Sequence, residues 1–558
     1  MATSETISGL DKLARAWDYL LAGRPLLGLV AVLCTTTGHT MNLREMGEAQ
    51  GWVAAVFYIL QSSYLASLAL TLLVCPALGQ RSSCRAATQM GLVLVTAGSF
   101  LNGLAMWAPF SIFVTGRVVA GVGAGMVIHF APRLLEARWR PLETWAMILC
   151  PVAGPGVIAA FTMSRGVSDW EWGFLLEGVS ALAGLFLLLT MAQTPQSPPS
   201  PPRGSLAYLP PLALAAAALV YCQHWGQLQG WLESLDIVIM STVGFAALIV
   251  SLWLAWPQLD FSTLRENWIR LVVFSFGGVC QFFHGYTMNT YGGSIVNFSS
   301  WQRAWLIWPM PIGIAVSLAL PHLPWRRPLK LGLPGAVGGL LLLTGGLYLC
   351  LQQTMDWPSW QILDTRDLNW FAAPTHWELA PGRFLMGLGV GLFMLAVEEL
   401  ASPDAQREEE VRPFFPVVQF FGGMLATGIF VNYLLIGQLV HYSYSADRGY
   451  IQAGELARRH TDLRDDFRRQ GRSDPERAAE VLLYNFVRYE ADNLVFATIY
   501  AAFLVASLVL AGLCLALWTW LRLDGITFTY IAPGFRRGVN ESAAIGNSGS
   551  AGLSQQHE

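Results

Sequence analysis

Charged residues are scarce in this chain. Of its 558 residues only 13% are Asp, Glu, Lys or Arg, whereas 54% are hydrophobic. An ordinary soluble protein is about 25% charged, and so little charge cannot cover the surface of water-soluble domains. The composition therefore argues against a soluble enzyme, a disordered scaffold and a secreted disulfide module. The net charge of −3 at pH 7 is close to neutral, so we expect no nucleic-acid partner.

Paired cysteines and enzyme motifs are lacking as well. The eight cysteines lie in apolar runs or at their ends, and none has the spacing of metal ligands. No zinc, phosphate-loop or nucleophile motif occurs. We therefore expect no metal, no cofactor and no catalytic residue, and the sequence argues against an enzyme.

Long apolar runs are what the chain has in abundance. A membrane-spanning helix needs about 20 mostly apolar residues. On this basis we predict an all-α membrane protein, embedded in a lipid bilayer, with fourteen transmembrane helices. They lie near 24–42, 52–74, 87–107, 109–130, 143–163, 172–192, 207–226, 235–256, 268–290, 303–322, 331–351, 375–400, 413–436 and 493–521.

The distribution of Lys and Arg predicts the orientation. If the N-terminus is cytoplasmic, the inside segments hold roughly nineteen of these residues and the short outside segments roughly four, which is the bias typical of cytoplasmic loops. We therefore predict that both termini are cytoplasmic. The polar parts are then a cytoplasmic N-terminal segment 1–23, a Pro-rich cytoplasmic linker 193–206, an outer loop 437–492 and a disordered cytoplasmic tail 522–558.

A glycine-rich string occurs twice. Residues 116–125 and 382–391 both read GRxxxGxGxG, at an offset of 266 residues. Spans four and twelve are therefore equivalent, and spans nine to fourteen repeat spans one to six. We predict two pseudo-symmetric six-helix bundles, 24–192 and 257–521, with two helices inserted between them at 207–256.

Each string carries an arginine inside its span. Arg117 lies about 12 Å from the start of span four at 1.5 Å per residue, and Arg383 occupies the same place in span twelve. A buried cation costs several kcal/mol unless it is paired or faces water. We therefore expect Arg117 to face a central cavity, and Glu378 is a candidate partner for Arg383. The alternative is a structural pairing that only holds two helices together.

Further motifs follow in a fixed order along the chain. Two six-helix halves with a repeated arginine are typical of secondary transporters, with the site between the halves. The motifs are Trp52, Tyr58 and Leu60, then Arg117, Gly121 and Gly123, then Cys150–Pro155, then Trp170, Trp172 and Phe174, then Gly387 and Gly389, and Gly422 with Gly423. With these motifs and its two halves the chain resembles the major facilitator superfamily, in its fourteen-spanner EmrB/QacA-type drug:proton antiporter branch.

The resemblance implies the major facilitator fold and a role in multidrug efflux across the cell inner membrane. It also implies that a periplasmic adaptor (membrane fusion) protein docks on 437–492, for which a solvated mixed-charge helix is the alternative. The motif residues expected to serve conformational change are Gly121, Gly123, Gly154, Pro155, Gly387, Gly389, Gly422 and Gly423.

The chain departs from this family where protons are carried. Span one has no carboxylate in residues 33–37, and Gln419 stands where the family has an arginine. Proton coupling needs another titratable group, and Glu177 or His284, both within apolar spans, are the candidates. We predict that the substrate and proton pathway is formed by Arg117, Arg383, Glu177, Tyr58, Gln281, His284, Asn289 and Gln419.

Two functions follow from the sequence. The first is a secondary active transporter that exports small amphipathic organic compounds or drugs by alternating access with proton antiport. The alternative is a transporter-derived membrane sensor or assembly scaffold that no longer pumps. The retained arginine pair and the Gly-Pro motif at Gly154 and Pro155 favour the first, and the missing acids favour the second.

Overall fold

The chain folds into helices that follow the predicted spans. The computed structural model describes residues 23–38, 46–47, 50–52, 54–78, 83–104, 108–136, 139, 141–163, 170–190, 206–256, 261–291, 300–322, 331–355, 376–400, 411–451 and 453–523. In this part of the chain, sixteen α-helices carry the fold, and a helix overlaps each predicted span.

The N-terminal half contains six helices, and two more follow it. The helices of this half are α1 Arg24–Gly38, α2 Ala54–Leu78, α3 Cys84–Leu104, α4 Phe110–Phe130, α5 Pro141–Met163 and α6 Glu171–Leu189. The two that follow are α7 Leu209–Trp225 and α8 Leu235–Ala255.

The C-terminal half contains the remaining eight helices. They are α9 Phe261–Thr290, α10 Ser300–Ile307, α11 Pro309–Ala319, α12 Gly332–Met355, α13 His376–Glu399, α14 Phe414–Ile451, α15 Ala453–Arg469 and α16 Pro475–Leu523. The predicted single span near 303–322 is two helices here. The break between the two helices lies at Pro309, which lacks the backbone N–H that a continuous helix would use.

The two halves repeat the same packing. In the N-terminal half α3 packs along α4 and α6, α2 along α4, and α1 along α5. In the C-terminal half α12 packs along α13 and α16, α11 along α13, and α9 along α14. The predicted pair of pseudo-symmetric bundles is therefore confirmed.

Close glycine contacts fix the register of this repeat. A Cβ on Gly91 of α3 would lie 2.7 Å from the carbonyl oxygen of Gly123 on α4, and a Cβ on Gly339 of α12 would lie 2.8 Å from that of Gly389 on α13. Small residues allow helix backbones to approach this closely inside a membrane. Seven residues further along, Gly98 faces Gly116 and Gly346 faces Gly382.

The inserted helices lie beside the place where the halves meet. Helix α7 packs against α8, α2 and α14, and the Ser62 hydroxyl on α2 lies 2.8 Å from Nε2 of His224 on α7. In the apolar part of α8 only 22% of the residues are buried, against 72% in α2. Helix α8 is therefore peripheral, as expected for an insertion.

Nine of the described helices are long and apolar enough to cross a membrane on composition alone, and the chain is an integral membrane protein. Within the predicted outer loop, α14 continues to Ile451 and α16 begins at Pro475, so helix extends well beyond the apolar residues at both ends. The Asp474 carboxylate caps α16 by accepting a hydrogen bond from the Arg477 backbone N–H at 3.1 Å. The count of fourteen spans stays a prediction.

Candidate functional site

The N-terminal arginine forms a buried ion pair. Arg117 is the eighth residue of α4, and its Nη1 donates to Oε2 of Glu177 on α6 at 2.7 Å. The two side chains are 0% and 2% exposed. A carboxylate at this distance compensates the guanidinium charge, which would otherwise be costly in the interior.

Aromatic and hydroxyl groups complete this N-terminal cluster. The Arg117 guanidinium carbon lies 4.3 Å from the centre of the Tyr64 ring on α2 and 5.4 Å from that of Phe174 on α6. The hydroxyl groups of Thr35 on α1 and Ser99 on α3 lie beside the Glu177 carboxylate. Five helices of one half therefore meet around a single ion pair.

Two residues that the sequence singled out separately are thus brought together. Arg117 and Glu177 pair within the N-terminal half, and Arg117 does not face an open cavity in this structure because it is fully buried. The expected orientation of Arg117 toward the central cavity stays a prediction. In chemical terms, a proton taken up by the Glu177 carboxylate would remove the negative charge that pairs with the arginine.

The C-terminal arginine has a different partner. Arg383 is the eighth residue of α13, and its Nη2 contacts the ring of His284 on α9, with Nε2 at 3.2 Å. A guanidinium has only N–H donors, so the His284 ring accepts. The Tyr500 phenol on α16 and the Cys350 thiol on α12 lie beside the same guanidinium. We call these four residues the C-terminal cluster.

Among the described residues, no carboxylate lies within 4.0 Å of Arg383. Glu378 is exposed and does not pair with Arg383, so that expectation is wrong. Five residues along a helix correspond to a rotation of about 140°, which places the two side chains on different faces. The Arg383 side chain is 1% exposed, and its Nε and Nη1 have no hydrogen-bond partner in the described structure.

Two glutamines join the halves. Gln419 on α14 donates from Nε2 to Oε1 of Gln281 on α9 and to the carbonyl oxygen of Met147 on α5, each at 2.8 Å. Gln281 in turn donates to the carbonyl oxygen of Ile148 at 2.7 Å. The structure therefore brings together two predicted pathway residues, and places them on the boundary between the halves rather than next to either arginine.

The boundary between the halves has further contacts, and we call it the seam. The Tyr58 and Thr290 hydroxyls on α2 and α9 are 3.3 Å apart, and the Tyr58 ring is 5.8 Å from the Phe430 ring on α14. Near the opposite ends of the helices, the Thr144 hydroxyl on α5 donates to Oε1 of Glu398 on α13 at 2.7 Å. The side chain of Asn289, a predicted pathway residue, lies outside the described part.

The motif glycines lie at close helix contacts within each half. Gly121 approaches the backbone of Tyr64 on α2, and its counterpart Gly387 approaches that of Met310 on α11. Pro155 is buried inside α5. The other motif glycines make similar contacts: Gly154 with Cys34, Gly123 with Gly91, Gly389 with Gly339, Gly422 with Ser275 and Gly423 with Phe282.

Sequence reasoning missed several residues of these clusters. Tyr64, Tyr500 and Thr144 lie next to charged groups, but each is an ordinary polar residue of an apolar helix in the sequence. The repeat contained a usable signal, since Glu177 and Tyr500 lie on the last helix of their halves. In the described ranges no three His, Cys, Asp or Glu residues come together as a metal site.

By sequence the chain matches no protein-family model and no curated protein. By structure it is similar to a bacterial homologue of the human drug peptide transporters PepT1 and PepT2, with a TM-score of 0.53 and 13% identity over 90% of this chain and 98% of that one. It is also similar to a bacterial homologue of the human lysosomal transporter Spinster, with a TM-score of 0.51 and 12% identity over 89% and 96%. At this identity the likeness identifies the fold, and the fold of this chain is that of the major facilitator superfamily.

Proposed function

We propose that this protein is a secondary active transporter that exports small amphipathic organic compounds by alternating access, driven by inward proton flow. We place it in the EmrB/QacA-type branch of the superfamily because of its motifs and its inserted helix pair. We also propose that it lies in the cell inner membrane with both termini in the cytoplasm.

The observation that carries this proposal is the polar seam between two pseudo-symmetric halves. Gln281 and Gln419 each donate one hydrogen bond across it, to the α5 carbonyl groups of Ile148 and Met147, and a third hydrogen bond joins the two glutamines within the C-terminal half. Each such bond contributes about 0.5–1.5 kcal/mol net, so a seam of this kind can open and close without disturbing the packing inside either half. When two rigid halves rock about such a seam, the centre of the protein is exposed to one side of the membrane at a time.

The proposed proton carrier is Glu177. When Glu177 is ionised, it pairs with Arg117 and holds α6 to α4. When it takes up a proton, the pair loses its charge attraction and the arginine must find another acceptor. Proton binding therefore changes the relative energies of two arrangements of the N-terminal half, which is what coupling to transport requires.

The proposed export partner binds outside the bundle. The segment 437–492 includes α15, whose Arg464, Asp465 and Arg468 form exposed or half-exposed ion pairs. Exposed pairs of this kind contribute little to folding stability, so these side chains are available to a periplasmic adaptor protein. We propose docking of an adaptor on this segment, as the motif resemblance implies.

Flux measurements test the function. The purified protein is reconstituted in liposomes with an imposed pH gradient, and uptake of a panel of cationic, neutral and anionic amphipathic fluorophores is followed. We expect movement of at least one class against the direction of proton flow, and loss of that movement with a protonophore.

Matched variants assign the coupling. Glu177→Gln is expected to abolish accumulation driven by the pH gradient, while Glu233→Gln, which changes an exposed carboxylate between α7 and α8, keeps it. If no compound moves under any gradient, the transport proposal fails. The non-pumping sensor or scaffold, which a permanently closed Arg117–Glu177 pair would suit, then becomes the better account.

A further inference from the structure

Arg117 and Arg383, the two arginines of the repeated string, differ in what balances their charge. Arg117 has a carboxylate at 2.7 Å, whereas Arg383 meets the neutral acceptor His284, the Tyr500 phenol and the Cys350 thiol. A guanidinium stays protonated even when it is buried, so the charge of Arg383 persists. The C-terminal half therefore holds a buried cation with no counter-ion among the described residues.

Hydrogen-bonding groups around Arg383 are also unused. Among the described residues, its Nε and Nη1 have no hydrogen-bond partner, and the buried phenol oxygen of Tyr291 at the end of α9 has none either. Tyr291 lies near Tyr500 and Cys350, the same two residues that adjoin Arg383. Unused buried donors of this kind cost free energy, and they accumulate where a ligand supplies the missing acceptor.

The N-terminal half indicates what that acceptor is. At the equivalent place the last helix of the half supplies the carboxylate of Glu177, and in the C-terminal half it supplies Tyr500 instead. A carboxylate matches the planar fork of a guanidinium with two parallel hydrogen bonds. A carboxylate brought in by a ligand would therefore complete the C-terminal cluster in the way that Glu177 completes the other.

The surroundings of the cluster indicate what carries this carboxylate. Phe283, the neighbour of His284, stacks on Phe503 of α16 with ring centres 4.2 Å apart, and lies 5.7 Å from Phe430 on α14. Phe430 contacts Tyr58 at the seam. A continuous series of aromatic contacts therefore runs from Tyr58 at the seam to Phe283 and Phe503, which are adjacent to His284 and three residues from Tyr500 along the chain. Such surroundings suit an aromatic body better than a hydrated inorganic ion.

We propose that Arg383, together with Tyr291 and Tyr500, binds the carboxylate of an aromatic organic acid, and that such acids are the cargo of this protein. Calling the acid a cargo rests on the proposed transport function, whereas the binding site itself does not. Because Arg383 is 1% exposed, the acid enters when the halves separate along the seam, and its charge replaces the missing counter-ion.

Binding to the purified protein tests this without any gradient. Dissociation constants are measured in nanodiscs for 2-naphthoate, 4-biphenylcarboxylate and indole-3-acetate, and for the amide and the primary amine that correspond to each acid. For the wild type we expect at least one acid to bind about tenfold or more tightly than its amide and its amine, which corresponds to a charge-assisted interaction.

Three variants locate the site. Arg383→Gln is expected to remove the preference for acid over amide. Arg270→Gln, which removes a different buried arginine on α9, is expected to keep this preference. Tyr291→Phe removes only the phenol oxygen and weakens acid binding a few-fold with no effect on the amide, so the site remains testable if Arg383→Gln does not fold.

The outcomes separate this inference from the transport proposal. It is overturned if no acid binds, if every amide binds as tightly as its acid, or if the preference survives in both Arg383→Gln and Tyr291→Phe. Acid binding without flux supports the binding site and contradicts only the transport proposal. Flux of cations or neutral compounds without acid binding contradicts only the proposed binding site.

Discussion

The two halves of this protein share a backbone framework and differ in the chemistry at its centre. In both, an arginine is the eighth residue of a glycine-rich helix and is fully buried. In the N-terminal half the last helix supplies Glu177 at 2.7 Å, and in the C-terminal half it supplies Tyr500. The comparison separates what a pseudo-symmetric fold requires from what each half does.

The shared part consists of close backbone contacts. Gly98 and Gly346 face the equivalent glycines Gly116 and Gly382, because only glycine permits the helices to approach so closely. The part that differs consists of the groups that balance charge. In one half a carboxylate pairs with the arginine, which suits a proton carrier, and in the described part of the other half no carboxylate reaches the arginine, which suits a site for a charged ligand.

The largest expected effect comes from breaking the N-terminal pair. Arg117→Ala leaves Glu177 buried without a cation, which should reduce the free energy of unfolding by about 3–5 kcal/mol and bring flux to the background of empty liposomes. Arg117→Lys should also be impaired, because an ammonium cannot replace the guanidinium fork. Thermal unfolding and liposome flux measure the two effects.

A double variant separates charge balance from function. Arg117→Met with Glu177→Leu removes both charges and should recover most of the lost stability, because two apolar side chains can fill the site of a buried ion pair. Flux should stay absent. Normal flux in this variant, or in Arg117→Ala, would mean that the pair only holds α4 to α6.

The next effect comes from making the halves alike. Tyr500→Glu gives the C-terminal cluster a carboxylate of its own, and it should raise the unfolding temperature while reducing the binding of aromatic acids about tenfold or more. Tyr500→Gln serves as the control, because glutamine has the size of glutamate but carries no charge. If Tyr500→Glu binds acids as tightly as the wild type, Arg383 is not the group that recognises them.

A smaller effect tests the shared framework. A Cβ on Gly98 would lie 2.7 Å from the backbone nitrogen of Ala120, and one on Gly346 would lie 2.6 Å from that of Met386. Gly98→Ala and Gly346→Ala should therefore destabilise the two halves by similar amounts, about 1–3 kcal/mol each. Gly338→Ala on the same helix as Gly346 meets nothing within 4 Å and should be neutral or slightly stabilising. Unequal losses for the first two would argue against equivalent packing.

The smallest effect concerns the seam. Tyr58→Phe removes the hydroxyl that lies 3.3 Å from that of Thr290 and keeps the ring against Phe430. We expect the conformation in which the halves touch along the seam to lose about 0.5–1.5 kcal/mol of stability. The rate of flux should therefore change a few-fold. Stopped-flow measurements of flux at saturating substrate would detect it, and an unchanged rate would remove this contact from the gating step.

Much of the fold could be predicted from the sequence because its signals are local. The repeated GRxxxGxGxG string identified α4 and α13 as equivalent, and apolar runs located a helix at each predicted span. Hydropathy could not reveal that α14 and α16 continue as helices to Ile451 and from Pro475, since helix outside the membrane has no apolar requirement. Hydropathy also predicts one span where α10 and α11 are separate helices on either side of the break at Pro309.

The site was only partly predictable because its pairs are distant in sequence. Arg117 and Glu177 are 60 residues apart, and Arg383 and His284 are 99 apart, so pairing them requires knowledge of which helices touch. The cost of burying charge identified each residue alone. Glu378 is close to Arg383 in sequence, but helix geometry places it on another face.

We propose that protons and cargo move through one mechanism in opposite directions. The most direct test loads liposomes with an aromatic acid that the protein binds, creates an acid gradient with no pH gradient, and follows internal pH with a trapped dye. Because coupling is reciprocal, the acid gradient must drive protons the opposite way, and this movement should vanish in Glu177→Gln and persist in Glu233→Gln. An acid flux that moves no protons in the wild type would contradict the account.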